Sequence, residues 1–267
     1  MKNGFPVFLA SLLALGGSWC GFVLAPVVQL GGGQQTTVLN SSDLYPLGRP
    51  GMANQGLQVY RANGCAACHT EQVQQSGVAC DVVLTSAGKD PAGVTNLISS
   101  LQLNGLDKAV ADALVDKITA AGGKAEIHII ATGPDIARGW GRRHSVAEDF
   151  LYDDPVQLGS LRIGPDLADV GTRQPDANWQ LVHLYAPQSV VKDSAMPPFR
   201  YLFRIQKIGS APSPDALVFS KGSGPPAGYE VVPTAGAQEL AAYLLSLHAD
   251  VSLHDAPFTQ PAAVTKP

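Results

Sequence analysis

The apolar and polar positions divide the chain into one continuous apolar run and a longer remainder of mixed pattern. No charged residue occurs between Phe5 and Val28. As a helix, this run is roughly 36 Å long, which is enough to cross a bilayer. It is longer than a signal-peptide core, and its end, Leu24 to Val28, makes a poor cleavage site. We therefore predict an uncleaved transmembrane anchor at residues 1–30, with a cleaved signal peptide as the alternative.

The residues on either side of the anchor predict its orientation. Lys2 and the terminal amine are the only charges on the short side. The positive-inside rule then places the N-terminus in the cytoplasm and the rest of this single-pass protein on the outer, periplasmic side of the cytoplasmic membrane. Residues 31–50 are rich in Gly, Gln, Thr and Ser, and they predict an exposed linker.

Amphipathic patterns predict a helix near each end of the outer region. Residues 53–67 place Leu57 and Tyr60 on one helical face. The segment from Ala235 to His248 has apolar residues at positions i, i+3, i+4 and i+7, which are Leu240, Tyr243, Leu244 and Leu247. We expect these two helices to pack against each other.

Two segments between these helices have patterns that include strands. Residues 80–139 predict, in order, a strand, two helices and a strand, at Asp81–Thr85, Pro91–Leu103, Leu106–Ala121 and Ala125–Ala131. Farther along, Pro-Gly turns separate three short candidate strands, Arg204–Ile208, Ala216–Phe219 and Tyr229–Val232. Residues 251–267 predict a flexible tail.

Composition and charge narrow the class of protein. Hydrophobic residues make up 45% of the chain and charged residues 15%, which suits a globular protein with a membrane segment. The net charge is −4 and there is no basic patch, so we expect no nucleic-acid partner. Of the four cysteines, Cys20 and Cys80 are predicted to be buried free thiols rather than a bridge.

The other two cysteines lie in a motif with specific chemistry. The stretch from Gly64 to Thr70 contains Cys-x-x-Cys-His, the attachment signature of a c-type haem. The thiols of Cys65 and Cys68 would add to the two vinyl groups of haem, and His69 would bind the iron as proximal ligand. A zinc site is the alternative, but it would need a second pair of ligands. We predict one covalently bound haem c.

The sixth iron ligand is predicted from the methionines. Met1 initiates the chain and Met52 precedes the first helix, which leaves Met196. Two prolines follow Met196 and would stiffen its loop. A thioether ligand favours ferrous iron and raises the reduction potential. The competing ligands, which we interpret as surface or packing residues, are His128, His144 and His183.

The segment from Gly159 to Leu167 contains two further candidates for the haem site. The turn at Pro165 has a carbonyl that could accept the ring N–H of His69 and thereby raise the basicity of that ligand. Arg162 is predicted to pair with a haem propionate, with a surface ion pair as the alternative.

A short predicted helix from Asn178 to Tyr185 carries two aromatic rings on one face. These are Trp179 and His183, four positions apart. They would lie either near a haem edge or in the core.

These features together resemble the mono-haem cytochrome c subunit of cbb3-type cytochrome c oxidases, the FixO/CcoO family. The most specific part is the run GSLRIGPDLADVG at 159–171. The other parts are the anchor, GCAACHTEQV at 64–73, Tyr152 to Pro155, Trp179 with His183-Leu184, and Ser194 to Pro197. The resemblance implies thioether bonds at Cys65 and Cys68, and axial ligation by His69 and Met196.

The resemblance also implies a mainly α fold. An N-terminal transmembrane helix would precede a class I cytochrome c domain at 51–250, whose first and last helices cross. Residues 80–139 would interrupt that domain as a small α/β insertion. Their sequence resembles a shortened C-terminal domain of the ribosomal stalk protein, a module used for docking; the alternative is a decoration with no role of its own.

The implied function is electron transfer without an active site in this chain. The haem would relay electrons from a donor cytochrome c to the haem-copper catalytic subunit of a terminal oxidase. Two alternatives remain open at this point: a free-standing membrane-anchored carrier for another respiratory complex, and a haem-based sensor or docking module.

Overall fold

The computed structural model describes residues 4–30, 33–220 and 222–259. Within these residues the protein is mainly helical, with three antiparallel strand pairs, so the predicted fold class is confirmed. The α-helices are α1 (Gly4–Trp19), α2 (Ala25–Leu30), α3 (Gly51–Ala62), α4 (Pro91–Ser99), α5 (Lys108–Ala120), α6 (Pro134–Ala137), α7 (Val170–Arg173), α8 (Ala177–Tyr185) and α9 (Ala235–Leu245). The strands are β1 (Thr36–Thr37), β2 (Leu44–Tyr45), β3 (Gly77–Ser86), β4 (Lys124–Thr132), β5 (Phe203–Lys207) and β6 (Tyr229–Pro233).

The predicted anchor is one helical rod that is long and apolar enough to cross a membrane, from Gly4 to Gln29. Its middle is a π-helical segment, Cys20–Leu24, in which the Ala25 N–H donates to the Cys20 carbonyl. The next residue, Pro26, has no N–H, and its ring crowds the preceding turn of a regular helix. The wider π turn accommodates that proline. Residues 1–3 of the predicted anchor lie outside the described residues.

One of the two predicted buried thiols is not buried. Cys80 is buried in β3, but Cys20 is exposed on the anchor helix. The reason is that no described part of the protein packs on α1, none of whose residues is buried.

The predicted linker is mostly exposed, but the prediction is wrong at Tyr45 and Pro46, which are buried. Strands β1 and β2 pair with each other, and Tyr45 is buried. The Tyr45 hydroxyl lies 2.7 Å from Asp149 Oδ1 and 2.9 Å from the His248 carbonyl oxygen. An aromatic ring with a polar tip is stabilised by burial when that tip finds hydrogen-bond partners, which a composition-based prediction does not register. Residues 31–32 lie outside the described residues.

The predicted pairing of the first and last helices is confirmed. Tyr60 of α3 and Tyr243 of α9 contact each other with ring centroids 5.2 Å apart. Gly56 lies where the helices cross, and a Cβ there would collide with the Glu239 carbonyl oxygen. A side chain at this position would therefore hold the two backbones apart.

The predicted helix over 53–67 is wrong at its C-terminal end. Helix α3 stops at Ala62, and Gly64 has a left-handed backbone conformation with φ of 66°. Glycine adopts this conformation without the steric cost that other residues meet. A separate 3₁₀ turn at Cys65–Ala67 then carries the haem motif.

The inserted segment forms a small α/β unit in the predicted order of strand, helix, helix and strand. Strands β3 and β4 pair antiparallel with Val82 opposite Ile127, and α4 and α5 lie between them in sequence. The unit has its own apolar cluster of buried residues, which are Cys80, Val82, Val94, Ala111, Leu114 and Ile118. It extends over 77–132 rather than the predicted 80–139, because the residues after β4 fold into α6 and pack toward the haem motif.

The larger apolar cluster joins α3, α7, α8, α9 and the β5–β6 pair. Two of the three predicted strands near the C-terminal end are present as β5 and β6. The third, Ala216–Phe219, is not a strand; its one backbone bond to β6 runs from the Leu217 N–H to the Val231 carbonyl oxygen, at 2.8 Å. One hydrogen bond beside a strand does not extend the sheet.

The predicted flexible tail is also wrong for residues 251–259. Leu253, Ala256 and Phe258 are buried. Thr259 bonds to β4 of the inserted unit, with its N–H 2.9 Å from the Ile129 carbonyl oxygen. Burial of these apolar side chains stabilises the ordered segment. Residues 260–267 of the predicted tail lie outside the described residues.

Candidate haem site

The Cys-x-x-Cys-His motif is held as one tight turn. The N–H groups of Cys68 and His69 lie 3.1 and 3.0 Å from the Cys65 carbonyl oxygen, which accepts from both. Both cysteines are free and half-buried. The turn therefore brings both thiols and the histidine into one short stretch of backbone.

His69 is oriented by the loop that the sequence identified. Its Nδ1 lies 2.8 Å from the Pro165 carbonyl oxygen. Because a carbonyl oxygen only accepts, Nδ1 carries the proton, and the lone pair of Nε2 stays available to a metal. Burial lowers the pKa of His69, while the Pro165 carbonyl raises it in part.

Gly164 completes the positioning of that ring. A Cβ at this position would overlap the His69 imidazole, so the backbone of residue 164 packs directly on the ring. Two backbone bonds fasten the same loop to the motif: the N–H of Gly164 lies 2.9 Å from the Cys68 carbonyl oxygen, and that of Ser160 lies 3.3 Å from the Ala66 carbonyl oxygen.

The surroundings of Cys65 are apolar. Burial raises the pKa of its thiol to about 12. The free thiol is therefore uncharged near neutral pH, and a thioether at this position would also be uncharged, as an apolar environment favours. Cys65 and Ala66 pack against the larger apolar cluster.

Met196 packs against that same cluster, 127 positions beyond His69 in the chain. Its loop is tied to α8 by the Phe199 N–H, which lies 2.8 Å from the Leu184 carbonyl oxygen. The loop is also held internally, with the Met196 N–H 3.3 Å from Ser194 Oγ. The fold thus brings the motif and the predicted sixth ligand to one apolar region.

Arg162 makes all its described contacts with protein groups. Its Nη1 lies 2.8 Å from the buried carboxylate of Asp135, and its Nε lies 3.1 Å from Thr70 Oγ1. Its Nη2 donates to the Gln72 carbonyl oxygen at 2.5 Å. These contacts fit the alternative of an ion pair, and the pairing of Arg162 with a propionate stays a prediction.

A second carboxylate supports the residues after His69. Asp166 is fully buried and accepts from Thr70 Oγ1 at 2.5 Å and from the Gln72 N–H at 2.8 Å. Its other oxygen accepts from the Ala168 N–H at 2.9 Å. A buried carboxylate with several donors locks the backbone around it.

Sequence reasoning missed Glu71, two residues beyond His69. Its side chain is almost completely buried, and the Tyr243 hydroxyl lies 2.8 Å from Oε2 and 3.0 Å from Oε1. Burial raises the pKa of Glu71 to about 7, although the hydrogen bond from Tyr243 lowers it in part. The available signal was a charged residue directly after the motif, together with a tyrosine on the buried face of the last helix.

The structure separates the three histidines that compete with Met196. His128 lies in β4 opposite Asp81, within the inserted unit. The Nδ1 of His144 lies 3.1 Å from Gln75 Oε1. His183 lies on α8 with its ring stacked on Trp179. Of the three, only His183 belongs to the helix that packs beside the Met196 loop.

Comparison with known families adds one finding. Residues 131–220 match the family model of the cytochrome c oxidase mono-haem subunit, FixO. The FixO resemblance is confirmed. Comparison with curated proteins gives no significant match.

The FixO match covers the 159–171 run and Met196, and it begins where β4 of the inserted unit ends. The Cys-x-x-Cys-His turn lies before the matched range, so the attachment chemistry is argued from that motif itself. The residues present fit a c-type haem on three structural grounds. These are the accessible lone pair of His69 Nε2, the glycine backbone against its ring, and the apolar region that holds Cys65 and Met196.

Proposed function

We propose that this chain is a membrane-anchored mono-haem c-type cytochrome that relays electrons from a donor cytochrome c to the haem-copper catalytic subunit of a cbb3-type oxidase. The observation that carries the proposal is that Cys65 of the haem motif and Met196 pack against the same apolar cluster, in a chain that matches the FixO family model over residues 131–220. The apolar helix from Gly4 to Gln29 supports the anchor. The positive-inside rule, applied to Lys2 and the terminal amine, supports a periplasmic haem region.

The proposed roles follow from the donor atoms. Cys65 and Cys68 would hold the haem by thioether bonds, and His69 Nε2 and the Met196 sulfur would bind its iron. The haem, when bound, supplies a one-electron couple. The Pro165 carbonyl keeps the proton on His69 Nδ1, and the Met196 thioether favours the ferrous state. With both axial positions taken by the protein, oxygen chemistry would belong to a partner subunit.

The first test is attachment. We expect the purified wild-type protein to keep its haem after denaturation and organic extraction, and the double variant Cys65→Ser/Cys68→Ser to release it. Cys80→Ala is the matched control, because Cys80 is a free cysteine in the separate inserted core. Retention of haem by the double variant would contradict the proposed attachment.

The second test is the partner. A mild-detergent purification through a C-terminal tag should recover haem b and copper together with haem c, in a preparation that consumes oxygen. Recovery of haem c alone would contradict the oxidase assignment and leave a free-standing carrier. A carrier and a sensor then differ in their response to carbon monoxide, since a sensor would exchange Met196 for the gas.

A further inference from the structure

His183 carries a buried polar atom that the described protein does not satisfy. Its Nδ1 is inaccessible to solvent and has no hydrogen-bond partner among the described residues. The ring is held in place by Trp179, one helical turn earlier, with ring centroids 4.9 Å apart and planes within 8°. Buried polar atoms nearly always have a partner, so this nitrogen points to a group that the protein alone does not supply.

The position of His183 on α8 indicates where that group would lie. The helix that carries it, α8, contributes Val182, Leu184 and Tyr185 to the apolar cluster against which Cys65 and Met196 pack, so the helix lies beside the region of the motif. His69 is near enough to affect its charge: burial, and to a smaller extent the charge of His69, lower the pKa of His183 to about 4. An imidazole has at least one ring N–H that it can donate.

Two other donors near the motif are also buried without a partner among the described residues: the Tyr60 hydroxyl, at the crossing of α3 and α9, and Arg173 Nε. The remaining contacts of the arginines are with protein acceptors. Arg162 bonds to Asp135, Thr70 and Gln72. Arg173 donates from Nη2 to the Asp166 carbonyl, on the proximal side. A haem would bring two propionates as its only strong acceptors, and its iron would be held by His69 and Met196. An imidazole N–H donor and a carboxylate acceptor are complementary.

We propose that His183 donates a hydrogen bond from Nδ1 to a propionate of the bound haem, with Trp179 holding the ring in the donating orientation. The inference rests on the proposed function, because it requires a haem attached at Cys65 and Cys68. It assigns His183 to the haem periphery and not to the iron.

The test compares three variants of the full-length haem protein in detergent. Asn places its amide nitrogen near the position of Nδ1, whereas Gln extends toward the position of Nε2 and Leu has no donor. We expect His183→Leu and His183→Gln to lower the reduction potential, since a propionate that loses its donor stabilises ferric iron. His183→Asn should stay close to wild type. Spectroelectrochemical titration measures the potentials, and resonance Raman bending modes of the propionates report the hydrogen bond directly.

The outcomes separate this inference from the proposed function. Equal potentials and unchanged propionate modes in all three variants would overturn it and leave His183 as a packing residue. Loss of the long-wavelength methionine-to-iron band in Met196→Ala but not in the His183 variants supports it. If instead the iron ligation changes in the His183 variants, His183 is an iron ligand and the proposal is wrong. If no haem is attached to the wild type, the proposed function fails first and this inference fails with it.

Discussion

The apolar cluster around the haem motif and the cluster inside the inserted unit differ in what they bury. The haem-side cluster contains aromatic rings such as Tyr60, Tyr185, Phe203 and Tyr243. Carboxylates are buried beside it, including Glu71 and Asp166. The inserted cluster contains small and aliphatic side chains only, and no buried polar or charged side chain occurs at 77–132.

This difference indicates that the two clusters meet different structural requirements. An aliphatic core requires only that apolar side chains of the right total volume are buried, and it tolerates many substitutions that conserve that volume. A buried carboxylate is costly unless its hydrogen bonds are made, so Glu71 and Asp166 specify particular backbone and side-chain positions around His69. We infer that the buried polar groups beside the haem motif fix the positions of particular side chains, whereas the aliphatic cluster of the inserted unit mainly stabilises its fold.

The largest expected effect comes from the helix crossing. Gly56→Val would drive a branched side chain into the Glu239 carbonyl oxygen, so α3 and α9 could not close. We expect loss of the folded haem-binding core rather than a graded decrease in stability. Far-UV circular dichroism and covalent haem content measure both consequences. Gly51→Ala is the control, because a Cβ at Gly51 meets nothing within 4 Å. A folded, haem-loaded Gly56→Val protein would contradict the crossing.

The second-largest expected effect is the loss of stability when one buried residue of either apolar cluster is truncated, and it tests whether the two clusters unfold independently. Leu240 and Ile118 are both almost completely buried, one in each cluster. Truncating either to alanine should cost about 2–5 kcal/mol. Hydrogen exchange should then speed up over α3 and α9 for Leu240→Ala, and over 77–132 for Ile118→Ala. Val110→Ala, at an exposed position on α5, should change neither region. Equal acceleration in both regions for either variant would show that the two cores unfold as one.

A smaller loss of stability is expected when the buried carboxylate of Glu71 loses its hydrogen-bond donor. Tyr243→Phe removes the hydroxyl that donates to Glu71 and leaves ring packing against Tyr60 unchanged. We expect a loss of about 1–3 kcal/mol in the free energy of unfolding, since a buried acceptor is left unsatisfied. Chemical denaturation followed by haem absorbance measures it. Tyr229→Phe is the matched control, as that ring is partly exposed on β6. An identical midpoint for both variants would mean that solvent replaces the hydroxyl.

The predictions that succeeded rest on patterns that are local in sequence. The 3.6-residue period of α9 and the strand-helix-helix-strand order of 77–132 are both visible within short windows. The spacing of Cys65, Cys68 and His69 is also local, and the haem attachment inferred from it stays a prediction. The 159–171 run located the Pro165 loop, and the structure shows the Pro165 carbonyl at the ring of His69.

Apart from the end of α3, which the local conformation of Gly64 explains, the main predictions that failed concern contacts between distant segments. Composition predicted an exposed linker at 31–50 and a flexible tail at 251–267, yet Tyr45 and Phe258 are buried. Single apolar residues in a Gly- and Pro-rich stretch carry no periodicity, so their burial depends on a partner surface far away in the sequence. Gly56 and Glu71 were missed for the same reason, because the Glu239 and Tyr243 that explain them lie more than 170 positions later.

The smallest effect concerns charge in the inserted unit. Lys108 and Asp112 form an ion pair one turn apart on α5, with an Nζ–Oδ2 distance of 2.8 Å and with both side chains largely exposed. Water and salt screen such a pair, so Lys108→Gln should leave the exchange protection of 77–132 and the unfolding midpoint unchanged. Asp112→Asn and the double variant complete the cycle. A measurable coupling between the two residues would show that α5 needs its surface charges as well as its buried face, and the view of the insertion as a core held by burial alone would then be wrong.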